Sequence, residues 1–129
     1  MNLLLDTNAY TALVKGQPEV VANVKRAQAI YFSAIVAGEL LFGFRNGNRF
    51  EQNRETFATF LANPYVRFLP VTQVTADRFG RVADGLKQKG TPIPTNDIWI
   101  AAHAFETGAE LVTFDKHFSH VDGLVIADL

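Results

Sequence analysis

Four short apolar runs, at residues 3–5, 29–32, 66–71 and 111–114, alternate along the chain with segments whose apolar residues recur at helical spacing. This alternation constrains the fold more than any other feature. Three consecutive leucines have no polar face, so a strand made of residues 3–5 must be covered on both sides, as inside a parallel sheet. Parallel strands need long crossovers, and the intervening segments can supply them as helices. Thr7 and Asn8 can cap a helix beginning near Ala9. Pro18 suits the first turn of a second helix, with Val20, Val21 and Val24 on one face. Ser33 caps a third, carrying Val36, Leu40 and Leu41. After the break at Asn46-Gly47-Asn48, Phe50, Phe57, Phe60 and Leu61 mark a fourth, which ends before Pro64. Residues 74–89 form a fifth, stopped by Gly90. The proline-rich stretch 91–96 leads into a strong helix at 97–107, closed by Gly108. Residues 124–127 read as a short edge strand. The expected fold class is α/β, a mostly parallel sheet of four to five strands with helices on both faces.

No repeat, low-complexity tract or Pro/Gly/Ser-rich linker interrupts the 129 residues, so residues 1–129 are expected to form one domain. With 48% apolar and 19% charged residues, the composition excludes a disordered or fibrous class. Twelve basic and thirteen acidic residues leave a net charge of −1, so a nucleic-acid partner would need a local basic patch. The absence of cysteine excludes disulfides, thiolate zinc sites and thiol nucleophiles. The first residues lack a positive n-region, and no apolar stretch approaches the roughly 20 residues of a spanning helix, so a soluble, cytoplasmic protein away from membranes is expected.

In this frame, Asp6 falls at the carboxyl end of the first strand and Asp115 just past the fourth. Asp97 lies in the first turn of the helix after the prolines, and Glu39 sits within an otherwise apolar helical stretch, residues 34–44. Ligand crevices of open parallel sheets lie outside the carboxyl ends of the strands, where strand order reverses, and Asp6 and Asp115 would meet there if their strands are neighbours. Two unit charges about 4 Å apart repel by about 4 kcal/mol at an effective dielectric of 20, so a carboxylate cluster needs protons or a cation. Oxygen donors without histidine or cysteine favour magnesium or manganese over zinc. An ion so held can activate water and stabilise in-line displacement at phosphorus, which points to phosphodiester hydrolysis. Taken singly, Asp6 and Asp115 also read as ordinary caps and Asp97 as a helix-dipole partner. Glu39, with Ile35, Val36, Leu40, Leu41 and Phe42 around it, is harder to explain that way.

Arg45 and Arg49 flank the Asn46-Gly47-Asn48 break and can meet phosphates, or simply form a solvated surface. Lys116, next to Asp115, carries the same two readings. His117 and His120 have a metal-compatible spacing but no further nitrogen or sulfur ligand in view, so a structural role is expected. His103 shares the Asp97 helix without a specific signal. The phenylalanines at 42, 44, 50, 57 and 60 read mostly as core, with some left for a partner surface. Gly-rich dinucleotide or phosphate loops and the Gly-x-Ser-x-Gly elbow are absent.

Four segments together resemble PIN-domain ribonucleases: Leu-Leu-Asp6-Thr7-Asn8, Ser33 with Glu39-Leu40, Asn96-Asp97 before Ile98-Trp-Ile-Ala-Ala, and Leu111-Val-Thr113-Phe-Asp115-Lys-His-Phe118. Within that group the chain is most similar to VapC toxins of bacterial and archaeal toxin–antitoxin pairs, over essentially its whole length. The resemblance implies a three-layer α/β/α PIN fold and a Mg2+- or Mn2+-dependent endoribonuclease. It assigns the four site acids to Asp6, Glu39, Asp97 and Asp115 and the site hydroxyl to Thr113, which alternation along a strand would point inward with Asp115. Asp6, Asp97 and Asp115 would hold the principal ion, with Glu39 an outer or second-metal ligand, and Asn8 would support Asp6. RNA would be cut to a 5′-phosphate and a 3′-hydroxyl. The resemblance further implies a homodimer silenced by a VapB-like antitoxin whose tail occupies the groove. The competing expectation is a non-catalytic module that uses a PIN-like cleft to hold RNA or protein.

Overall fold

A computed structural model describes residues 1–129. Its central sheet contains β1 (Asn2–Leu5), β2 (Ala29–Ser33), β3 (Val66–Leu69) and β4 (Glu110–Val112), in the order β3-β2-β1-β4. All three pairings are parallel, with Leu3 opposite Ile30, Leu4 opposite Leu111 and Phe32 opposite Phe68. The central strand is the leucine run, and Leu3, Leu4 and Leu5 have no exposed surface.

From β1 the chain adds strands in one direction, through α1 (Thr7–Val14) and α2 (Pro18–Arg26) to β2, then α3 (Ala34–Arg45) and α4 (Phe50–Ala62) to β3. It then returns through α5 (Gln73–Lys89) and α6 (Thr95–Thr107) to β4, on the far side of β1. Right-handed crossovers in opposite directions place the two helix sets on opposite faces, giving the expected three layers. On one face Tyr10, Phe32, Phe57 and Phe60 pack with ring centroids 5.2–5.6 Å apart in the pairs involving Tyr10, all edge-on. On the other, Val82 and Leu86 of α5 meet Ala101 of α6 and Val121.

Several boundaries differ from the sequence expectation. α1 starts at Thr7, because Asp6 itself caps it and not Thr7 or Asn8. α6 starts two residues early, at Thr95, with Pro94 as its cap residue. β3 ends at Leu69, where Pro70 cannot donate to a ladder. The fifth strand shrinks to a single bridge between Leu111 and Ile126, because both its hydrogen bonds fall on Leu111. β4 ends at Val112, so Thr113 and Asp115 lie beyond the strand and not along it.

Candidate functional site

The strand order reverses at β1 and β4, and the segments leaving those two strands bring Asp6, Thr113 and Asp115 together. Asp6 is 5% exposed. Its Oδ1 accepts the Ala9 N–H at 2.9 Å, and its Oδ2 accepts the Thr113 hydroxyl. The Thr113 oxygen in turn accepts the Asp115 N–H at 2.9 Å. Thr113 therefore does sit between the two acids, through its hydrogen bonds and not through strand alternation.

Asp115 caps a short 3-10 helix, Lys116–His120, by accepting the His117 N–H at 2.9 Å. The His117 imidazole folds back, with Nδ1 2.9 Å from Asp115 Oδ1 and 3.8 Å from Asp97 Oδ2. Asp97 projects from the first turn of α6. Glu39, from the middle of α3, accepts the Thr7 hydroxyl at 2.7 Å and the Asn96 amide at 3.3 Å. Because Thr7 adjoins Asp6 and Asn96 adjoins Asp97, these bonds close a ring through all four acids.

Burial pushes the Asp6 carboxyl above its ordinary range, and Asp115 and Glu39 add repulsion, while the bonds from Thr113 and Ala9 act the other way. Asp97 is pushed up to about 6, first by burial and then by Asp115 and Glu39, with His117 partly opposing the shift. A group that favours its proton this strongly has too little positive charge nearby. The donors suit a divalent cation: Asp97, Asp115 and His117 each offer one atom, all within 4.8 Å of one another.

Some expected residues stand apart. Asn8 is exposed, and Asp6 takes its support from Ala9 and Thr113 instead. Arg45 is exposed with its guanidinium over the Phe50 ring at 4.4 Å, at the α3–α4 corner. Arg49 is exposed at the α4 cap position, and Lys116 is exposed at the start of the 3-10 helix. None of the three bonds to the acidic ring. Glu39 is only half-buried and Phe42 is 68% exposed, so the apolar shell expected around Glu39 is open on one side. His103 is fully buried between the Ser33 hydroxyl (2.8 Å) and the Pro70 carbonyl (3.1 Å). A carbonyl only accepts, so Nε2 carries a proton and donates it to Pro70. This pins the start of α3 to α6 and serves structure.

Sequence reasoning missed Thr7, Asn96 and His117. Thr7 and Asn96 are each the immediate neighbour of a site acid, which is a usable signal. His117 stands two residues after a capping Asp, a spacing that brings the ring back over the cap. Its imidazole nitrogen lies among carboxylate oxygens that could hold an ion.

The PIN domain family profile matches residues 3–124. Ribonuclease VapC1 of Haemophilus influenzae strain R2866 is 31% identical to this chain, across 96% of it and 95% of the relative. Ribonuclease VapC2 of Rickettsia felis is 29% identical, across 98% and 96%. Among solved structures, a chain of VapBC2 from Rickettsia felis bound to a promoter DNA fragment superposes with a TM-score of 0.86 at 29% identity, covering 100% of this chain and 99% of that one. A chain of VapBC-1 from nontypeable Haemophilus influenzae gives 0.85 at 30% identity, covering 99% and 98%. With the acidic ring at the sheet's switch point and matches spanning nearly its whole length, the chain belongs to the PIN-domain family and, within it, to the VapC ribonucleases.

Proposed function

We propose that the chain, acting as one domain over residues 1–129, is a metal-dependent endoribonuclease toxin held in check by a VapB-like antitoxin. The observation that carries this reading is that Asp6, Glu39 and Asp115 lie near enough to Asp97 to repel it, so that with burial it is pushed up to about 6. The ribonuclease names of the relatives and the VapBC composition of the similar structures support it.

Mg2+ or Mn2+ would be the cofactor: Asp6, Asp97 and Asp115 would hold it with Glu39 at the margin, and it would supply Lewis-acid polarisation of phosphate and water. The chain's own residues prepare the cleft. Thr113 fixes the Asp6 carboxylate from one side and the Asp115 backbone from the other. Thr7 and Asn96 hold both oxygens of Glu39, so its carboxylate keeps one orientation. Arg45, Arg49 and Lys116 meet RNA phosphates beside the cleft, positioning the strand without reading its bases. Hydrolysis leaves a 5′-phosphate and a 3′-hydroxyl. An RNA substrate puts the working enzyme in the cytoplasm, as a homodimer. No helix of the chain is long and apolar enough to cross a membrane.

Sequencing the RNA ends produced by purified protein with Mn2+, and with chelator instead, tests the proposal. Cleavage should need the ion and should be lost in both Asp6→Asn and Asp97→Asn. Undiminished cutting in chelator, or by both variants, would leave the acidic ring without a catalytic role. Ion-independent RNA binding without cleavage would favour the non-catalytic module.

A further inference from the structure

We propose that His117 supplies an imidazole nitrogen to the divalent ion held by Asp97 and Asp115, tilting the site toward manganese and the later first-row ions over magnesium. This rests on the metal-dependent reading above and assigns a donor beyond its four acids.

The spacing carries the inference. Ligand atoms about 2.1 Å from an octahedral ion lie ~3 Å apart in cis positions and ~4.2 Å apart in trans. His117 Nδ1 is 2.9 Å from Asp115 Oδ1 and 3.8 Å from Asp97 Oδ2, so both separations fall within the range of atoms sharing one ion. The ring is not there for packing: the His117 side chain is 53% exposed. Its direction is set locally, because Asp115 Oδ1 accepts the His117 N–H and the 3-10 helix turns the ring back over the cap. Asp97, the more distant of the two carboxylates, keeps only 16% exposure.

Donor chemistry gives the direction of the selectivity. Magnesium takes oxygen ligands almost exclusively, while imidazole raises affinity along the series from manganese to cobalt and beyond. A site of carboxylates alone offers that series little advantage. One nitrogen among them does.

The decisive measurement is pulsed electron paramagnetic resonance on the full chain loaded with one equivalent of Mn2+, alongside titrations with Mn2+, Co2+ and Mg2+. Wild type should show nitrogen-14 modulation from one imidazole, absent in both His117→Ala and His117→Gln. Affinity for Mn2+ and Co2+ should fall about tenfold or more in those variants, and affinity for Mg2+ by less than about threefold. Asp97→Asn separates the two levels of the argument. If wild type binds Mn2+, loses it on Asp97→Asn and shows no nitrogen modulation, the His117 assignment is wrong and the acidic site stands. Modulation that persists in both His117 variants also overturns the assignment. If wild type binds no divalent ion, both fall. A wild-type spectrum without nitrogen modulation overturns the assignment whatever the variants' folding.

Discussion

Replacing Asp97 with Asn should make the metal-free protein more stable at neutral pH while removing its capacity to hold an ion. Asp97 is pushed up to about 6, whereas an aspartate in the unfolded chain titrates near ~3.9. Between those values the folded state keeps a proton that the unfolded state has released. Stability is therefore lost as pH rises from about 4 to about 6, and the loss is complete above that. Two pKa units set a ceiling of ~3 kcal/mol. The side chains of Asp97 and Asp115 keep 16% and 34% exposure, so screening reduces the effect to ~1–2 kcal/mol. Asn keeps the shape and drops the charge, which for a domain of this size corresponds to a melting point higher by ~4–8 °C. Thermal melts by circular dichroism in chelator at pH 7.5 should show that increase, and the gap should close as pH is lowered toward 4. Mn2+ at about 100 times its Kd should then stabilise wild type by ~2.7 kcal/mol and leave the variant unmoved, reversing their order. A variant that melts below wild type in chelator at pH 7.5, or a gap that ignores pH, would refute the electrostatic account.

Thr113→Val removes the donor to Asp6 and the acceptor for the Asp115 N–H, so Mn2+ affinity measured by titration should fall ~10–100-fold, and Thr113→Ser should restore most of it. His103→Leu strands the Ser33 hydroxyl and the Pro70 carbonyl in the interior, which should cost ~2–3 kcal/mol in denaturant unfolding with the Mn2+ stoichiometry of the folded protein unchanged. Changing Arg45, Arg49 and Lys116 together to Ala should raise KM for RNA and leave kcat nearly constant. If all three meet phosphates, the slope of log affinity against log salt should become shallower by ~2.

The fold was legible because its signals are local. The apolar run of β1, the Ser33 cap, the Gly90 and Gly108 stops and the prolines before α6 each act within a few residues, and each stands where the pattern put it. The carboxy-terminal segment was misread because its continuous apolar run at 124–127 matches a strand, yet its partner β4 has only three residues with which to pair. The acids were visible as types and places. Their mutual approach depended on β1 and β4 being neighbours, which no local pattern encodes. The partners that fix the acids were illegible for the same reason: Thr7 and Asn96 reach Glu39 across 32 and 57 residues of chain. His117 reads as structural from sequence because no further nitrogen or sulfur ligand accompanies it, whereas its neighbours in the fold are carboxylates.

Capping and clustering, which from sequence alone looked like competing explanations of the same aspartates, turn out to be one geometry. Asp6 caps α1, Asp115 caps the 3-10 helix, and Asp97 lies in the first turn of α6, so three helical amino termini point at one spot. Each terminus brings unpaired N–H groups and the positive end of its backbone dipole. The chain can thus gather carboxylates at a place already biased toward negative charge, which lowers the cost of assembling them before any ion arrives. The relief is incomplete, since Asp97 still favours its proton up to about pH 6. That leftover cost, burial of charge first and repulsion from Asp115 and Glu39 second, is the driving force left for a divalent cation. A cleft whose caps neutralised it fully would fold more stably and bind metal less well. Glu39 fits the same logic by contrast: it lies in mid-helix, with no terminus to support it, and is the acid that needs two side-chain donors from elsewhere to hold its place.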